Sequence, residues 1–148
     1  MISFFPDLNV WLAVADSGHQ HSREAWNWMR LVPGNARIVF SRYTQIGLLR
    51  LLTNSAVMGD RTLVLGEAWN AYDRMIEDPR VVFYPEARGV DDVFRKTTAA
   101  FAKQQAAKWV GDCWLLANAK AMSATLVTFD RTLFALSRRQ NHPALVPA

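Results

Sequence analysis

Three aspartates stand where packing alone does not explain a carboxylate: Asp7 in FFPDLNVWLAVA, Asp112 in KWVGDCWLLANAKAM and Asp130 in TLVTFD. Asp7 and Asp130 each follow a short apolar run of strand type. Asp112 precedes Leu115, Leu116 and Ala119 at i+3, i+4 and i+7, so it shares the apolar stripe of its helix. An acid on such a stripe is seldom buried without a partner. Two carboxylates about 5 Å apart repel by roughly 3 kcal/mol at an effective dielectric near 20. A fold tolerates that if a cation sits among them or if some are protonated. No His accompanies these acids, and Cys113 points about 100° away from Asp112 around the helix. Hard oxygen donors of this kind favour Mg²⁺, with Mn²⁺ as a substitute, over Zn²⁺. An ion held by few carboxylates keeps waters and suits chemistry at a phosphoryl group. Each acid also has a plainer reading, Asp130 capping the turn into RTLFAL and Asp112 capping the start of its helix.

The elements that would position these acids follow from periodicity. Residues 2–5, 37–40, 81–85 and 125–130 read as strands, with a short edge strand at 144–146. Helical periods cover 8–15, 22–32, 62–77, 90–103 and 108–122. SRYTQIGLLRLLTN adds another, with Gln45, Leu48, Leu49 and Leu52 on one stripe. DSGHQH separates the first two helices, with Gly18 as breaker and Ser22 as N-cap. His19 and His21 within it fit helix entry and local hydrogen bonding better than a zinc site. Strands alternating with helices predict an α/β fold, a three-layer α/β/α sandwich around a parallel sheet of four to five strands. Ligand sites in such sheets lie at the carboxyl ends of the strands, where Asp7 and Asp130 stand. Asn9 either starts the next helix or steadies Asp7, and the second role is favoured. The tryptophans read mostly as core, Trp26 and Trp69 on apolar stripes, and for Trp11, Trp109 and Trp114 core and protein interface are both open.

The chain has 148 residues, 51% apolar and 20% charged, which suits one globular domain spanning 1–148. A net charge of +4 is compatible with a polyanionic partner. Arg42, Arg50, Lys108 and Arg131 flank the acid motifs and could attract RNA phosphates. The single cysteine precludes an internal disulfide and fits a reducing compartment. No signal peptide and no run of about 18 apolar residues is evident, so a cytoplasmic protein without membrane contact is expected.

FPDLNVWLA, TQIGLLRLLTN, GDCWLLANA and LVTFDR resemble, in order and spacing, the PIN domain, and specifically VapC-type toxins of toxin–antitoxin pairs. The resemblance runs from Ser3 to about Leu136. It implies a Mg²⁺-dependent ribonuclease, a homodimer, and an antitoxin protein that blocks the site. Asp7, Asp112 and Asp130 would hold the ion, with Asn9, Thr44 and Thr128 supporting them. The family usually has a Glu in the segment matching YTQIGLLR, and here Gln45 takes that place. Gln45 is expected to point toward the strand ends and orient a water or ion ligand. Lacking the Glu, the site keeps three formal negative charges, one of which a single Mg²⁺ leaves uncompensated. A second ion should then bind weakly.

Two other readings compete. A haloacid-dehalogenase-like phosphatase also uses an Asp after its first strand, but wants a second carboxylate two residues on, where this chain has Asn9. A PIN-like module that binds RNA or a partner without cutting would make Gln45 a mark of lost activity.

Overall fold

The computed structural model describes residues 1–148. Alternation along the strands builds its layers. Phe4, Ile38, Phe40 and Val127 face one side of the sheet, and Phe5, Val39 and Leu126 face the other. Both faces are therefore apolar, as a buried parallel sheet requires. The strands are β1 (Ser3–Pro6), β2 (Arg37–Phe40), β3 (Val81–Phe83), β4 (Thr125–Val127) and β5 (Ala144–Leu145). All pairs are parallel, in the order β3-β2-β1-β4-β5. The expected α/β/α sandwich is the observed one.

The helices are α1 (Leu8–Ala15), α2 (Ser22–Leu31), α3 (Arg42–Leu52), α4 (Ser55–Met58), α5 (Leu65–Ile76), α6 (Val90–Thr98), α7 (Ala107–Ala121) and α8 (Arg131–Arg139). Helices α1, α2, α3 and α5 cover the first face. Helices α7 and α8 cover the second, with α6 against α7. Helix α4 and the helical extent of α8 were not anticipated, and 62–77 becomes helical only from Leu65. None of the helices is long and apolar enough to cross a membrane.

β1 pairs with β4 through Phe4–Thr125, Phe5–Leu126 and Pro6–Val127. That register brings the carboxyl ends of the two strands side by side. Pro6 has no N–H to donate, and it stands at the last position of β1, where the cost is least. The next residue resumes the ladder, the Asp7 N–H donating to Val127 O at 2.9 Å.

Two of the tryptophans depart from the sequence expectation. Trp11 is fully buried and stacks on Phe40 with ring centroids 3.7 Å apart. Trp26 and Trp69 are the ones left 43% and 40% exposed. Helix α5 docks through Ala68, Ala71 and Tyr72, all buried. The two alanines let the helix sit close to the sheet, which leaves Leu65 and Trp69 on the outer flank. Truncating Trp11 to Ala should cost about 3–5 kcal/mol in urea unfolding, the range for a large buried ring, whereas Trp69→Ala should cost about 1 kcal/mol or less.

Candidate active site

Asp7 follows β1 and caps α1, its Oδ1 accepting from the Val10 N–H at 3.2 Å. Its Oδ2 accepts from the Thr128 hydroxyl. That hydroxyl in turn accepts from the Asp130 N–H at 2.9 Å, so one side chain links the ends of β1 and β4. Asp130 caps α8, its Oδ1 accepting from the Thr132 and Leu133 N–H groups at 2.8 and 3.3 Å. Its Oδ2 has no partner in the chain. Asp112 comes from the other direction, on α7. It is the sixth residue of that helix, so it cannot be the cap considered above. It makes no hydrogen bond or ion pair with the protein.

The electrostatics show which acids feel each other. Asp7 is 4% exposed, and burial pushes its carboxyl up to about 6 against the hydrogen bonds from Thr128 and Val10, with the Asp130 charge adding to the rise. Burial also raises Asp112, and again the charge of Asp130 contributes. The Asp130 charge is thus felt by both of the others. As they stand, the three carboxylates do not draw together into a ready-made ion cage. Their chemistry nonetheless fits a hard divalent cation: oxygen donors only, one of them deeply buried with no neutralising cation, and unpartnered oxygens on Asp112 and Asp130.

The supporting residues depart from expectation in instructive ways. Asn9 has an exposed side chain, and it is its backbone N–H that faces Asp7. Asp7 itself is the helix cap, which removes the need for Asn9 in that role. Thr44 is fully buried, but it closes a capping box with Ser41 at the start of α3 rather than touching an acid. Thr128 takes the supporting role directly. Gln45 is buried, yet its partners are Arg42, which donates to Oε1 at 2.5 Å, and Tyr72. Arg42 in turn rests 4.7 Å above the Phe83 ring at the end of β3. The α3 position that faces the start of α1 is instead Gly47, where an added Cβ would meet Leu8 at 2.6 Å.

Arg50, Lys108 and Arg131 are exposed and free of ion pairs, with Lys108 lying 5.3 Å over the Trp109 ring. The His pair serves local structure, as expected: His19 Nδ1 accepts from the His21 N–H at 3.0 Å. His21 stacks on Phe129, between Thr128 and Asp130, a contact that sequence spacing does not signal. Sequence reading also missed Asp16, which is buried at the end of α1 and ion-paired with Arg61 at 2.8 Å.

Residues 4–138 match the PIN domain family model. The chain belongs to the PIN domain family. It is 40% identical over 130 residues to Ribonuclease VapC41 of Mycobacterium tuberculosis, covering 84% of this chain and 86% of that one. In fold it is similar to VapBC2 from Rickettsia felis bound to a promoter DNA fragment, with a TM-score of 0.75 at 14% identity over 99% of this chain and all of that one. VapBC-1 from nontypeable Haemophilus influenzae follows, with a TM-score of 0.65 at 18% identity, covering 99% of this PIN domain and 98% of that chain.

Asp7 holds its proton more tightly in the folded chain than in the unfolded one, so stability falls as pH rises from about 4 through about 6. Above that window the buried charge costs on the order of 3 kcal/mol. Asp7→Asn keeps an acceptor for the cap and removes the charge. In EDTA the variant should be more stable than the parent at pH 8 by about 2–3 kcal/mol, the gain vanishing near pH 4. Urea midpoints at the two pH values measure this, and no difference between them would contradict an uncompensated buried carboxylate.

Proposed function

We propose that this PIN domain is a divalent-metal-dependent endoribonuclease, the toxin of a toxin–antitoxin pair, with Asp7, Asp112 and Asp130 as the acids that hold the ion. The reading rests on family membership together with one observation: Asp130 is electrostatically coupled to both Asp7 and Asp112, which arrive from separate elements. Mg²⁺ is the ion that best suits these donors, with Mn²⁺ as its substitute. When bound it would stabilise charge on the phosphoryl oxygens and acidify a coordinated water.

The protein's own part is positioning. Backbone N–H groups at the start of α8 fix Asp130 through Oδ1 and leave Oδ2 for the ion. Thr128 fixes Asp7 relative to Asp130. Lys108 and Arg131, close in sequence to Asp112 and Asp130, would draw in the RNA backbone. Gln45, whose Oε1 accepts from Arg42, would orient a water or ion ligand.

The same reading makes the partners an RNA substrate, an antitoxin protein and a second copy of the chain, all meeting in the cytoplasm. VapBC structures among the fold relatives support the antitoxin. The exposed apolar side chains Val64, Leu65 and Trp69 on the outer flank of α5 suit a protein interface.

The test is cleavage of a pool of structured RNAs in Mg²⁺, in Mn²⁺ and in EDTA. Cleavage should require metal and fall by about 100-fold or more in Asp112→Asn, the loss of several kcal/mol of transition-state stabilisation. Asp112 forms no bond within the chain, so the variant should remain folded. Undiminished cleavage by Asp112→Asn would remove this acid from the site. A folded parent that binds RNA but cuts none in either metal would favour the non-cutting module.

A further inference from the structure

A cleft of about 310 Å³ opens between α3 and the start of α1. Leu8, Ile46 and Leu51 give it aliphatic walls, Gly47 leaves it open, and Tyr43, Arg50 and Asn54 line the rest. Leu8 directly follows Asp7. Tyr43 reaches the other side of the site: its hydroxyl lies 2.9 Å from where a Cβ on Gly111 would be, next to Asp112. The lining of the cleft thus reaches the chain neighbours of two of the three acids.

We infer that this cleft is a nucleobase subsite, with Tyr43 as the stacking ring for a base of the RNA next to the scissile phosphate. The inference rests on the ribonuclease reading above. Tyr43 is 46% exposed, so much of its side chain is open to a ligand. Arg50 has no acidic partner and is available to a flanking phosphate. Asn54 spends its carboxamide oxygen on the Ala56 N–H at 2.9 Å, which leaves its NH₂ to donate to a base edge. Ring, aliphatic wall, guanidinium and amide donor together match a nucleotide. The volume is at the lower end for a small-ligand site. A peptide adding as a strand finds no edge here, because β1 is flanked by β2 and β4. Stacking tolerates any base, and the amide donor adds a preference among them. The subsite would thus select the nucleotide beside the cut.

The experiment measures anisotropy of labelled A, C, G and U hexanucleotides in EDTA, and sequences the cut sites in a randomised RNA pool in Mg²⁺. Tyr43→Ala should weaken the best hexanucleotide about tenfold and flatten base preference at one position beside the cut. Tyr43→Phe, which keeps the ring, should stay within about twofold. Arg50→Ala should weaken all four about equally and lower the salt slope by about one. A folded Tyr43→Ala with parental affinity and cut-site preference overturns the subsite while leaving the nuclease intact. Equal losses in Tyr43→Ala and Tyr43→Phe overturn it too, because the hydroxyl against α7 would then be what matters. So does parental RNA binding by Tyr43→Ala with loss of a co-expressed antitoxin, which would make the cleft a protein site. A parent that neither binds nor cuts any RNA overturns the ribonuclease reading, and this subsite with it.

Discussion

The hydroxyl of Thr128 joins the two halves of the site. It donates to Asp7 at the end of β1 and accepts from the backbone of Asp130 at the end of β4. The strands that it links are neighbours only because a parallel sheet places residues from opposite ends of the chain side by side. Each linked aspartate also starts a helix, Asp7 for α1 and Asp130 for α8. Local folding and site assembly are therefore the same set of hydrogen bonds. Two helix N-termini, each carrying a partial positive charge, converge on the acids and offset part of their repulsion. At Asp7 burial still outweighs the hydrogen bonds it receives, and its carboxyl is pushed up to about 6.

Much of this was legible in the sequence. Short continuous apolar runs located the strands, and the rule that sites gather at strand carboxyl ends singled out Asp7 and Asp130. The stripe of Leu115, Leu116 and Ala119 placed Asp112 on the inner side of α7, and all three of those neighbours are buried. What periodicity cannot say is which neighbour a stripe meets. Helix α3 is buried on two flanks. Gln45 lies on the flank toward Tyr72, whereas Gly47 lies toward Leu8. A stripe read from sequence merges the two and does not say which neighbour each position meets. The tryptophans mislead for a related reason. Large rings dominate an apolar pattern, but in α5 the small alanines set the closest approach. Asp16 escaped notice because its partner, Arg61, lies 45 residues along the chain.

The site sits at the meeting of rigid and open surroundings. Behind it, Trp11, Phe40 and Tyr72 form a continuous aromatic core under α1 and α3. In front, unpaired cations and the cleft along α3 face solvent. A buried acid with unpartnered acids beside it is costly for a fold to keep. That cost is the physical signature of a site arranged for something absent from the polypeptide.

Gly111 carries a consequence of its own. The Tyr43 hydroxyl occupies the space that any side chain at 111 would need, so the approach of α3 to α7 depends on a missing methyl group. Any side chain there would displace Tyr43, and with it one wall of the cleft along α3. A residue that carries no functional group of its own thus bears on the shape of the surface beside the acids.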